Sequence, residues 1–148
     1  MGASAPIDPG DLRDAELRLK LEGYGVHPYH QVPTYTFAMV NADSAEELGG
    51  IRLRVGSTPH VELYAGHIGY NVHPRHRHHR YAARSVVLLT PLARKLGLDP
   101  LWITCDPENI ASRRTLEITG AQFVEIVDVP LNCAIRQTGH PRKCRYRL

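Results

Sequence analysis

A chain of 148 residues, 43% hydrophobic and 22% charged with a net charge of +3, has room for one domain and can bury a sizeable core. That composition excludes disorder, collagen and coiled coil, and no apolar run approaches the roughly 20 residues that cross a bilayer. The first twenty residues carry acids where a signal peptide needs a basic start and an apolar centre, so a cytoplasmic location is expected.

In chain order, residues 1–7 read as a flexible tail. From Asp8 to Glu22, Leu12, Ala15, Leu19 and Glu22 fall at helical spacing with Gly23 as a stop, which predicts a helix. Residues 23–33 hold two prolines and two glycines and read as a loop, and residues 34–40 alternate as a strand. Residues 42–50 read as a turn or a single helical turn. IRLRV (51–55) and VELYAGHIGYNV (61–72) are strand patterns joined by GSTPH, an antiparallel hairpin with a wide loop.

From Tyr81 to Leu96 the apolar residues Ala82, Val86, Leu89, Leu92, Ala93 and Leu96 recur at three and four, which predicts a helix with one buried face, closed by Gly97 and bent at Pro91. LWITC (101–105) is a short buried strand. A helix over residues 108–120, capped by Asp106 or Asn109, follows, and residues 121–129 and 144–148 are strands joined by a long loop, 131–143. Cys105, Cys133 and Cys144 form no CxxC pair and read as thiols. The alternation predicts a single α/β domain over residues 1–148, antiparallel at the front with a strand–helix–strand crossover in the middle.

The charge is concentrated. His73 to Arg84 contains four arginines, four histidines and no acid. Here a strand runs through a short loop into a helix amino terminus, whose unpaired N–H groups and positive dipole end favour an anion, with Arg75, Arg77, Arg80 and Arg84 around it. Nucleic acid fits less well, because no aromatic platform is interleaved and the overall charge is low. The histidines lack the helical spacing of zinc ligands and no carboxylate stands nearby in sequence, so no metal is expected.

Residues 66–125 resemble the GNAT superfamily of N-acetyltransferases, most specifically in ITCDPENIASRRTLEITGA (103–121); GIRLR before and KCRYRL at the end resemble flanking strands of a bacterial branch. The resemblance implies a three-layer domain whose mostly antiparallel sheet splays between the family's strands four and five. It implies acetyl-CoA as co-substrate, its pyrophosphate held by Arg77, His78, His79, Arg80, Tyr81 and Ala82, with Arg80 where the family keeps a central glycine. Tyr70 and Val72 on the preceding strand, and Asn109 and Ser112, fall at further cofactor-contacting positions; helix capping alone also explains the last two.

The family's catalytic glutamate falls at Gly66. On a continuous strand Glu62, Tyr64, Tyr70 and Val72 would share a face, with His67 on the other unless a bulge intervenes, and Glu62, Tyr64 and His67 are the candidate catalytic residues. The family's acidic tyrosine falls at Leu116, leaving that role to Tyr81, to Cys105 or to nothing. The acceptor loops, 23–33 and 131–143, carry Tyr24, His27, Tyr29, His30, Arg136 and His140 but no acid. This favours a small metabolite or amino-acid-like acceptor whose carboxylate is held by Arg136 or His30. The family's first strand has no counterpart before the helix at Asp8, which would open the acceptor side to a partner subunit and allow a homodimer. The departures at Gly66, Arg80 and Leu116 leave a second reading open, a GNAT-fold protein that has lost acetyl transfer and serves as a binding module or catalyses another reaction.

Overall fold

The computed structural model describes residues 7–148. Most of the expected tail lies outside the described residues, and Ile7, its last residue, donates its N–H to the Tyr35 hydroxyl at 2.9 Å.

The expected first helix is a hairpin. β1 (Leu12–Asp14) and β2 (Leu17–Val26) pair antiparallel, with Leu12 opposite Leu19. Leu17, Leu19 and Leu21 alternate with Arg18, Lys20 and Glu22, and this period of two buries Leu17 and Leu19 while the charges face solvent. The helical spacing counted only four residues of the segment, and the tertiary core selected the alternation. Strands therefore occupy the segment in which the spacing predicts a helix.

β2 continues into β3 (Pro33–Asn41), β4 (Glu47–Arg54) and β5 (Ile68–Val72), giving a five-stranded antiparallel sheet in the order β1-β2-β3-β4-β5. The start of the expected second hairpin strand is a single wide helical turn, Val61–Ala65, closed by Gly66 N donating to Val61 O at 2.6 Å. Pro59 and the Glu62 N–H bonded to Thr58 O begin that turn, so residues 61–65 are not extended.

α1 (Tyr81–Lys95) lays Val86, Leu89, Leu92 and Ala93 on the sheet. Pro91 lies on its exposed side with Val87, so the carbonyl that loses its helical partner is on the wet face, and the Thr90 hydroxyl bonds Val86 O at 2.8 Å. β6 (Trp102–Cys105), α2 (Ile110–Ile118), β7 (Gln122–Asp128), a short α3 (Ala134–Gln137) inside the expected loop, and β8 (Arg142–Arg147) complete the chain. The last strands form a second antiparallel sheet, β6-β8-β7.

The fold is mixed α/β and mostly antiparallel, as expected, but the splay between β5 and β6 is wide enough to divide the ladder into two sheets. Leu53, Ile68, Leu89, Ile103, Leu116 and Tyr146 belong to one buried cluster spanning both. The three cysteines are free, and Cys105 lies opposite Cys144 in the β6–β8 ladder.

Candidate functional site

The wedge between the two sheets opens into two clefts. The first, of about 440 Å³, runs along β5 to the start of α1 and is lined by Tyr70, Asn71, Val72, His76, Arg77, His78, Tyr81, Ala82, Asn109, Ala111, Ser112 and Thr115. All the sequence-expected cofactor residues except His79 and Arg80 line this one space. The first helical bond of α1 runs from Arg84 N to Arg80 O, so the N–H groups of Tyr81, Ala82 and Ala83 precede it and are left for a ligand. No acid occupies the first turn, and Arg77 has no carboxylate partner among the described residues.

Arg80 takes the left-handed conformation, φ 58° and ψ 29°, that glycine adopts at little cost. Arg80 lines a separate groove with Asp14, Val87, Leu88 and Ile118 and is not among the residues lining the first cleft. The backbone at Arg80 thus takes a conformation open to glycine, and the residue borders a different groove. His79 stacks on the Tyr81 ring at 5.2 Å. Free amides, an unpaired arginine and a turn free of acid fit a pyrophosphate.

The basic cluster is smaller in space than in sequence. Arg84 is held by Asp14 at 2.7 Å and by Glu16 at 2.8 Å, Arg75 by Glu46 at 3.3 Å, His76 by the same Glu46 at 3.2 Å, and His73 by Glu47 at 3.1 Å. The Tyr81 hydroxyl also donates to Glu16, at 3.0 Å. Hydrogen bonds from Arg84 and from the backbone hold the Glu16 carboxyl down to about 2. Arg75 and Arg84 are therefore tied to acids of other elements, and Tyr81 is committed to Glu16.

The second cleft, also of about 440 Å³, opens on the far side of the wedge and includes His30, Arg52, Arg54, Tyr64, Gly69, Cys105, Asp106, His140 and Lys143. It shares Tyr70, Asn109 and Ser112 with the first. At that junction the Tyr70 hydroxyl and Ser112 Oγ are hydrogen-bonded at 2.7 Å, and Asn109 Oδ1 accepts from Ser112 N at 3.1 Å. Asn109 thus caps α2 and borders both clefts. Burial pushes the Tyr70 hydroxyl up to about 12, so it keeps its proton.

Among the catalytic candidates, Tyr64 lines the second cleft and Glu62 lines neither. Both sit on the helical turn and not on a strand, and the Glu62 carbonyl accepts from Arg145 Nε at 3.1 Å. His67 is fully buried: its Nδ1 accepts from Trp102 N at 2.9 Å and Nε2 meets Ser57 Oγ at 3.2 Å. Gly66, at the family's glutamate position, has φ 76°, and a Cβ there would lie 3.0 Å from Thr104 N and 3.1 Å from Trp102 O. Only glycine fits the close approach to β6. Leu116, at the tyrosine position, is buried in the core.

The sequence reading missed a pair at the mouth of the wedge. His140 Nδ1 lies 2.7 Å from Asp106 Oδ2, and Lys143 Nζ lies 3.0 Å from Asp106 Oδ1. Burial works to raise the Asp106 carboxyl, and the bonds from Lys143 and His140 overcome it, leaving it below the ordinary range. The signal was present: an Asp at the end of a buried strand, just before a helix, with a His on the loop that returns to that strand. Cys105 is a neutral thiol, pushed up to about 11 by burial.

The acceptor loops do meet here, through Tyr29, whose hydroxyl accepts from Ala134 N at 3.0 Å. Arg136 turns away to donate to Val129 O at 3.1 Å, and burial together with Arg54 holds His30 down to about 3, a neutral ring bonded to His60 at 2.8 Å. His30 is therefore not a cation, and Arg136 is not among the residues lining the cleft.

Residues 5–122 match the family described as "Acetyltransferase (GNAT) domain". No curated protein matches the chain. Among solved structures, a GNAT-family protein from Chromobacterium violaceum superposes with a TM-score of 0.66 at 16% identity, covering 100% of this chain and 95% of that one. A ribosomal-protein-S5-alanine acetyltransferase from Vibrio fischeri gives 0.60 at 15% identity, covering 78% and 61%. The microcin C7 self-immunity acetyltransferase, solved with acetyl-CoA and AMP, gives 0.58 at 13%, covering 78% and 60%. The chain thus spans under two thirds of the length of these last two. At such identities the likeness is one of fold. No helix among the described residues is long and apolar enough to cross a membrane, and no group of three or more potential metal ligands is found among them.

Proposed function

The chain belongs to the GNAT acetyltransferase family, and from that premise we propose that it transfers an acetyl group to the amine of a small metabolite or amino-acid-like acceptor. Acetyl-CoA, when bound, supplies the acetyl group as a thioester. The observation that carries the reading is the meeting of the two clefts at Tyr70 and Ser112: a phosphate-binding helix start on one side and a cleft with titratable groups on the other.

The amides of Tyr81 and Ala82 at the start of α1, with Arg77 and His78, hold phosphate, and Val72, Asn109 and Ser112 line the way to the junction. Asp106, an ionised carboxylate, accepts a hydrogen bond from His140 Nδ1–H, which leaves Nε2 as the basic nitrogen. His140 Nε2 then takes a proton from the acceptor ammonium, and Tyr70 Oη, protonated at the junction, is the available donor. Tyr64 borders the acceptor side.

Coenzyme A should raise thermal stability, by about 2.7 kcal/mol at a hundredfold excess over Kd. Thiol release should follow with amino acids or small amines. One neighbour is named for a ribosomal protein, so the panel includes an alanine-ended peptide. Coenzyme A binding without thiol release on any acceptor would favour the reading without acetyl transfer, and no binding would defeat both the cofactor and the activity.

A further inference from the structure

Arg52 and Arg54 alternate on β4 and so project from one face of it. Opposite Arg52 in the ladder stands Gly69. The position a Cβ would take on Gly69 lies 3.1 Å from Arg54 Nη2 and 3.5 Å from Arg52 Nη2, so the absent side chain leaves space that both guanidinium groups enter. Among the described residues neither arginine has a carboxylate partner.

Arg54 is 9% exposed. Its Nη1 donates to Ala65 O at 3.1 Å and Gly66 O at 2.9 Å, while Nε is buried with no partner. The Arg52 guanidinium makes no hydrogen bond to the protein among the described residues. The one acid lining this cleft, Asp106, is engaged by His140 and Lys143. Two cations brought together in a cleft, with donors unused and no protein anion between them, are costly unless a ligand anion completes the group.

We infer that Arg52 and Arg54 bind a carboxylate of the acceptor, which makes the substrate class amino acids and related amino-carboxylates. The inference rests on the acetyl-transfer reading for the amine's fate and on the arginine pair alone for the anion. Guanidinium forks match carboxylate oxygens in pairs, and a cleft of about 440 Å³ takes a molecule of this size. On this inference the cations that meet the carboxylate come from the sheet, not from Arg136 or His30 of the acceptor loops.

Two measurements on the full chain test it. In the first, side-chain ¹⁵N resonances of arginine are followed while N-acetylglycine or N-acetylglycinamide is added. The acid should shift the Arg52 and Arg54 signals and bind about tenfold tighter than the amide, with no turnover required. In the second, thiol release is measured for amino acids against their amides. Wild type should favour the acids about tenfold or more in kcat/KM, and Arg52→Gln should bring the ratio near one with the KM for acetyl-CoA unmoved. Arg52→Lys, which keeps charge but not the fork, should fall between and stands in if Arg52→Gln does not fold. Equal binding and turnover of acid and amide in wild type, an unchanged ratio in Arg52→Gln, or tighter binding of a phosphate monoester than of the carboxylate would overturn the inference. Acid-selective arginine shifts with no thiol release on any acceptor would defeat acetyl transfer and leave the anion site standing.

Discussion

His67 grips Trp102 by both of its backbone polar groups: the His67 N–H donates to Trp102 O at 2.6 Å, and Trp102 N donates to His67 Nδ1 at 2.9 Å. A side chain thus supplies the acceptor that the strand ladder lacks where β5 and β6 part, and it sits at the apex of the wedge that forms the site. The lone pair on Nδ1 is used, so the proton is on Nε2, facing Ser57. His67→Leu should leave the Trp102 N–H buried without an acceptor and cost about 1–3 kcal/mol of stability in urea denaturation. A loss under about 0.5 kcal/mol would show that the wedge is held elsewhere.

The same histidine sets an acid limit. Burial first, and Arg54 second, hold His67 down to about 4, against an ordinary 6.5. Below pH 6.5 the unfolded chain takes up a proton that the folded one refuses until about pH 4, so stability is full above 6.5 and declines as the pH falls through that interval. The drop should be on the order of 1–3 kcal/mol. His30, held down to about 3, adds in the same direction. Glu16, down to about 2 from 4.5, contributes stability that is lost only below pH 4.5. Denaturation at pH 7 and pH 5 checks the histidine interval, and His67→Leu should shrink the difference.

The arginines of the basic loop should separate by partner. Arg77→Ala removes the unpaired guanidinium of the first cleft and, on the proposed function, should weaken coenzyme A binding about tenfold in calorimetry, with stability unchanged within about 0.5 kcal/mol. Arg84→Met breaks the ties to Asp14 and Glu16, partly exposed, and should cost about 1 kcal/mol of stability. It should leave coenzyme A affinity within about twofold. If Arg84→Met weakens coenzyme A as much as Arg77→Ala, the partition is wrong.

These arginines also show what a sequence conveys and what it withholds. α1, β6 and α2 were legible because their apolar spacing, the Asn109 cap and their terminal glycines are local signals. β1 and β2 were not, because Leu12, Ala15 and Leu19 satisfy a helical count while Leu17, Leu19 and Leu21 satisfy a strand, and only the core decides. The turn at 61–65 hid inside a β-branched and aromatic run. The lining of the first cleft was legible as a run of residues, but Glu46, Glu47, Asp14 and Glu16 pair with the basic loop and helix start from elsewhere in the chain, so the net charge there was not. Asp106 with His140 and the Arg52 and Arg54 pair join residues far apart in the chain, although two arginines alternating on an apolar strand are a visible oddity.

Arg80→Gly should be benign. The arginine occupies a left-handed conformation at φ 58°, which costs a non-glycine residue about 1 kcal/mol, and it is not among the residues lining the first cleft. The variant should be more stable by about 0.5–1 kcal/mol in urea and should bind coenzyme A within about threefold of wild type. Binding weakened about tenfold would mean that the side chain swings back to a phosphate, and binding strengthened as much would mean that it obstructs one.

The Asp106 and His140 pair yields the prediction closest to the chemistry. If the carboxylate orients the ring through Nδ1, the basic nitrogen is Nε2, and His140→Gln removes the base while keeping the loop. Thiol release should then fall about 10²–10⁴-fold in kcat, with the KM for acetyl-CoA nearly unchanged because His140 does not line the phosphate cleft. Asp106→Asn tests the orientation separately. An amide can donate to Nδ1 and force the proton onto Nε2, which silences the base without removing it, so kcat should fall in this variant too. Lys143, 3.0 Å from Asp106, would lose its counter-ion in that change, and Lys143→Met is the control that removes the ion pair while leaving the hydrogen bond. It should keep at least about a third of kcat. Free imidazole should restore part of the activity of His140→Gly and none of that of Asp106→Asn. Retention of more than about a tenth of kcat in His140→Gln would remove the histidine from the reaction and return the search for the base to Tyr64 and to solvent in the wedge.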